Sequence, residues 1–328
     1  MPKKECYYAD YLNLENVLKH INTCQLNAHD EHLFIITHQN HELWFKQLIF
    51  ELQSVLDMMQ ANEGELALAK IIIRLNRCQK IFDTLIRQID ILETMSPMAF
   101  LAFRDKIIPA SGFQSLQFRL LEHVLGVDAV SAQGCPHYRL NEQDFAVLEK
   151  AHLTITIREC LIHILANLPY AKQDLPAFWE AYAKEILLTH QYERKIIQGN
   201  ECLNQVERHV QLQQIDNNFA CFKSWYDGAE TISSRAEFVS LYIFLHHEND
   251  RFNSWYQLLK NLMDIDEQMC LWRFHHYMMV QRMIGHKIGT GGSSGQTYLK
   301  NHLESHRAFV FLLNLINFLL PPQQIPKV

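Results

Sequence analysis

Residues 29–45 read His-Asp-Glu-His-Leu-Phe-Ile-Ile-Thr-His-Gln-Asn-His-Glu-Leu-Trp-Phe. Phe34, His38, His41 and Phe45 recur at i, i+4, i+7 and i+11, so a helix would carry them on one stripe. Two imidazoles among aromatic rings on an apolar face suit a metal ligand or a histidine facing a bound ring. A lone histidine in such a place is more commonly a hydrogen-bonded core or surface residue. Phe100, Arg104 and Ile107 share a face by the same spacing. An arginine set between apolar residues needs a partner, because an unpaired buried charge is very costly. An internal ion pair or a snorkelling head group supplies one, and so does a bidentate clamp on a ligand carboxylate. Farther on, His276 falls on a face with Met279, Val280 and Met283. A histidine in a soft apolar wall suits an axial ligand beneath a flat porphyrin, although a Met-rich stripe alone is an ordinary core pattern.

Glycine is scarce, 11 in 328 residues, yet Gly285, Gly289, Gly291, Gly292 and Gly295 lie close together. The run Gly-Thr-Gly-Gly-Ser-Ser-Gly at 289–295 lacks the phosphate-binding lysine pattern, and no strand precedes it, so neither a P-loop nor a dinucleotide turn fits. A loop that closes over a ligand fits, with Thr290 as a hydrogen-bonding residue; a plain connector is the alternative. Other metal chemistry lacks its spacing. A helical di-iron site needs two Glu-x-x-His motifs, and only Glu149-x-x-His152 is found. His41-Glu42 and His247-Glu248 lack the second histidine of a zinc protease motif.

These residues require helices to position them. Few prolines, little glycine and long 3.6-residue periodicity predict an all-α fold, and no proline interrupts residues 177–320. Helices are predicted near 10–21, 29–61, 65–93, 97–108, 111–125, 142–168, 176–213, 233–248, 252–285 and 294–319. Ser96 reads as an N-cap with Pro97 at the first helical position. Ser234-x-x-Glu237 and Ser293-x-x-Gln296 have capping-box spacing. Residues 127–140 read as a loop, and Pro321 onward as a loosely held tail.

Composition narrows the function. Apolar residues at 48% support a sizeable core. A formal charge of −6 argues against nucleic acid as the main partner. No apolar run reaches the roughly 18 residues of a membrane span, and Met-Pro-Lys-Lys-Glu-Cys is too polar for a secretory signal. The eight cysteines form no C-x-x-C pair and read as reduced thiols of a cytoplasmic protein.

The motifs together resemble those of the tryptophan 2,3-dioxygenase family. The resemblance rests on His29–Gln39, Glu42-Leu43-Trp44-Phe45-Lys46, Leu92-Glu93-Thr94-Met95, Phe103-Arg104-Asp105 and Ser111–Arg119, then Trp272-Arg273-aromatic-x-His276 and the Gly289–Gly295 loop. These blocks run in family order from residue 8 to about 320, with a variable helical segment over about 127–230 that looks shorter than in animal members. The resemblance implies a single all-α domain over 1–328, binding haem b with its iron, one per subunit, in a homotetramer. It implies oxidation of L-tryptophan by O2 to N-formyl-L-kynurenine, the first step of tryptophan catabolism. By the same resemblance His276 is the axial iron ligand and His38 the catalytic distal histidine, facing the indole N–H. Phe34, Phe100 and Ile107 wall the indole, Arg104 holds the carboxylate and Thr290 the amino-acid end. Tyr8, Tyr11 and Leu12 match residues that close a neighbouring subunit's site. His41 stands where Ser or Tyr is frequent, His275 where Asn or Arg is common, and His286 is also unexpected. Two alternatives remain: a same-fold oxygenase of a modified tryptophan or tyrosine, and a non-catalytic haem-based sensor.

Overall fold

The computed structural model describes residues 6–19, 21, 23, 27–61, 65–127, 140–285, 287 and 306–327, and every regular element among them is helical. Two short helices, α1 (Tyr8–Tyr11) and α2 (Leu14–Lys19), replace the predicted single helix over 10–21. The break falls at Asn13, whose φ of 51° lies in the left-handed region that asparagine tolerates better than most residues.

The frame of the molecule is α3 (His29–Ala61), α4 (Glu65–Leu92) and α12 (Asp250–Ile284). Alpha-helical rise makes α12, with 35 residues, about 50 Å long. Helix α4 packs along both α12 and α3, and α6 (Leu116–Leu125) lies against α3. Leu48, Leu52, Val55, Leu75, Phe82 and Leu85 are fully enclosed in the resulting core. Between α4 and α6 sits the short α5 (Pro97–Arg104), started as predicted: Ser96 accepts the Ala99 N–H, and Pro97 leads the first turn. This helix stops at Arg104, so Ile107 lies in the following turn rather than on a continued helix to 108.

Helix α6 ends at Gly126, where φ is +89° and an added Cβ would meet Arg158 Cβ at 2.7 Å. Both the backbone hand and the close approach demand glycine there. The predicted helix over 142–168 is two, α7 (Glu142–Ala151) and α8 (Ile157–Ala166). Thr156 and Glu159 form a capping box that starts the second. Likewise 176–213 is divided into α9 (Pro176–Gly199) and α10 (Gln205–Tyr226), with Asn204 and Glu207 capping the new start. Helix α11 (Ile232–Leu245) is capped by Thr231 with Ser234, not by Ser234 with Glu237; Glu237 instead accepts the Trp225 indole N–H at 2.6 Å. In each case a local cap outcompeted a periodicity that ran straight through it.

Of the predicted helix over 294–319, the described part is α-helical only in α13 (Val310–Leu315), followed by a 3-10 turn. The Ser293-x-x-Gln296 cap lies outside the described residues. The expected loose tail is a correction: Pro322–Gln324 form a 3-10 turn, Gln324 accepts from Thr189 at 3.2 Å, and Ile325 packs on the core. The six described cysteines are all free thiols. No described helix is long and apolar enough to cross a membrane.

Candidate functional site

Helices α3, α5, α6 and α12 enclose a cavity of about 260 Å³. Phe34, His38, His41 and Phe45 reach it from α3, as the stripe predicted, while Phe100 and Arg104 come from α5. Helix α12 supplies Trp272, His276, Met279, Val280 and Met283. Ile89, Leu92, Met95, Phe103, Met279 and Met283 form a small apolar cluster along one side, separate from the main core. Ile107 packs against that cluster but is not a wall of the cavity. Tyr8, Tyr11 and Leu12 are exposed and do not line their own chain's cavity. Thr290, His286 and the glycine loop lie outside the described residues.

His38 places Nδ1 2.7 Å from the carbonyl of Phe34, one turn earlier. A carbonyl only accepts, so Nδ1 carries the proton. Its accessible edge faces the cavity, and enclosure on the other sides lowers its pKa, opposed only partly by that hydrogen bond. The ring is therefore neutral at pH 7 and keeps a lone pair on Nε2. Phe34 packs on it with ring centroids 4.0 Å apart and reaches Phe100 at 5.6 Å. His41 repeats the arrangement, Nδ1 to the Thr37 carbonyl at 2.8 Å, with its pKa lowered first by burial.

His276 is pushed down to about 4, chiefly by burial and further by His38 and His41. Among the described residues it makes no hydrogen bond, and no partner for its second ring nitrogen is found there. Its neighbour in sequence, His275, packs on Phe274 and does not line the cavity.

Three groups have no role in the sequence reading. Glu122 is buried and takes Arg119 on one oxygen at 2.5 Å and Arg273 on the other at 2.7 Å. Burial raises its pKa, but the two guanidiniums outweigh that and hold it below the usual value. Arg119 and Arg273 thus share one carboxylate at this edge of the cavity. Glu42, also in the wall, is hydrogen-bonded to Ser115 and raised by burial. Glu122 and Glu42 thus place two carboxylates in the cavity wall. Third, the Trp272 indole N–H is buried and has no acceptor among the described residues. The i,i+3 spacing of Arg119 and Glu122 on an apolar helix was the one readable signal.

Of the residues that the motifs single out, Phe34, His38, Phe100, Arg104 and His276 line this one cavity. The family model of tryptophan 2,3-dioxygenase matches residues 2–319. The chain belongs to the tryptophan 2,3-dioxygenase family. Relatives bearing that enzyme's name include those of Alteromonas mediterranea, 36% identical over 98% of this chain and 94% of its own, and Anopheles gambiae, 37% over 98% and 87%. The Rattus norvegicus tryptophan 2,3-dioxygenase is 38% identical over 98% of this chain and 84% of its own. Membership in the tryptophan 2,3-dioxygenase family makes the chain an oxidoreductase of the dioxygenase class, which removes the non-catalytic sensor.

Proposed function

We propose that the protein oxidises L-tryptophan with O2 to N-formyl-L-kynurenine, using haem b, as a cytoplasmic homotetramer. The observation that carries this is one cavity joining histidines of α3 and α12 to the arginine of α5.

The residues present fit haem. His276 offers a neutral ring with no competing hydrogen bond among the described residues, beside Met279, Val280 and Met283. A buried donor without a partner costs about 1–3 kcal/mol, and among the described residues the Trp272 N–H has none, so a bound acceptor suits that place. The guanidiniums of Arg119 and Arg273 line the cavity and suit an anionic group. His276 would hold the iron, and Arg119 and Arg273 would hold the carboxylates of haem. When bound, haem supplies the iron chemistry that activates O2.

The chain's own residues bind and orient the amino acid. His38 Nε2 accepts the indole N–H, a role that its backbone-fixed tautomer leaves open. Phe34 and Phe100 flank the ring. Arg104 holds the carboxylate, and Thr290 the amino-acid end. Tyr8, Tyr11 and Leu12 complete the site of a neighbouring subunit, and Ile107 backs the indole wall. Positioning and exclusion of water are the protein's contribution.

Incubation of reduced, haem-loaded protein with L-tryptophan in air, followed by mass analysis, should give a product heavier by two oxygen atoms. A product with one added oxygen would point to a different oxygenase. His38→Ala should retain haem and lower the rate about 10–10³-fold, as expected for a removed positioning or acid–base group; loss of haem in this variant would mean that His38 binds iron. Arg104→Lys keeps the charge but not the two-pronged geometry, so the KM for tryptophan should rise. Equal affinity of the parent for tryptophan and tryptamine would take Arg104 off the carboxylate.

A further inference from the structure

Trp272 and His276 are one turn apart on α12. Their rings lie nearly parallel, with 8° between planes and 5.4 Å between centroids. Trp272 is clamped from other sides: Phe118 of α6 at 5.0 Å, Phe45 of α3 edge-on at 5.5 Å and 84°, and His41 at 6.0 Å. Its rotation is thus set by two other helices.

His276 has no such anchor of its own. Rotation of an imidazole about its last torsion is soft, and among the described residues no hydrogen bond restrains it. Histidines that bind metals usually donate their second N–H to a carboxylate or carbonyl, which fixes the ring and makes it a stronger donor. The flat face of a clamped indole can fix the ring without adding negative charge.

We infer that Trp272 is the positioning residue for His276: its locked ring face sets the imidazole plane and so aims the lone pair into the cavity. This rests on the reading of His276 as iron ligand. The face of the ring carries the effect, so another aromatic side chain should replace it and an aliphatic one should not.

The test compares the haem-loaded parent with Trp272→Phe and Trp272→Met. Methionine fills similar space without a flat face. The readouts are the ferrous iron–histidine stretching band in resonance Raman spectra and the rate of haem transfer to excess apoglobin. Trp272→Met should broaden and shift the band and release haem about 10-fold faster, the low end of what loss of a ligand's partner costs. Trp272→Phe should keep the parent's band. A Met variant with the parent's band and release rate overturns the inference. So does a Phe variant shifted as far as Met, since the N–H rather than the ring face would then act. Should circular dichroism show Trp272→Met unfolded, the Phe variant alone decides by the same band. A parent without an iron–histidine band, or His276→Ala that keeps it, would defeat the ligand assignment itself.

Discussion

His276→Ala is expected to abolish tight haem binding, while His275→Ala keeps it. Helical geometry turns successive residues by about 100°, so the two imidazoles cannot both face the cavity. Only His276 lines it; His275 packs beside Phe274. Burial already holds the His276 ring neutral at pH 7, so its lone pair needs no deprotonation before it binds a metal. Alanine removes that donor and leaves Met279, Val280 and Met283, which are weak partners for iron. The absorption spectrum after addition of haem and gel filtration reads the result directly. A spectrum lost in His275→Ala and kept in His276→Ala would move the ligand by one residue.

Glu122→Ala should cost about 3–5 kcal/mol of folding stability, the range for removing one partner of a buried ion pair. The variant removes the carboxylate that Arg119 and Arg273 share; both side chains are about nine-tenths enclosed. Urea denaturation of the apoprotein measures the loss. The pH dependence has a defined sign. Glu122 is held below its unfolded value near 4.5, so its stabilisation is complete above that value and is lost as pH falls beneath it. Glu122→Gln should therefore be less stable than the parent at pH 7, and the difference should shrink toward pH 3. A gap that stays constant from pH 7 to pH 3 would mean that the ion pairs contribute nothing.

Much of this site was legible in the sequence because helical periodicity alone sorts residues by face. The stripe of Phe34, His38, His41 and Phe45 needed only that α3 be continuous, and it is. His276 was legible for the same reason on α12. The division of 142–168 and 176–213 was not read, because the polar residues that cap α8 and α10 also fit a solvent-facing helical surface. Glu122 was missed for a different reason: its partner Arg273 is 151 residues away, and no local pattern encodes a pairing at that range. Trp272 was noticed as part of a motif, yet its stacking depends on rings from α3 and α6 that only the folded structure brings near.

The bond between Glu122 and Arg273 also bears on the order in which the molecule assembles. The α3–α4 pair joins near neighbours, with Arg77 reaching Glu51 across 26 residues, whereas closing Glu122 onto Arg273 spans 151. Contacts between distant residues carry a larger chain-entropy cost and form slowly. The arginine-lined edge of the cavity therefore belongs to the late stage of folding, after the α3–α4 hairpin, and a chain stalled before that closure would have its hairpin but no finished pocket to receive a ligand.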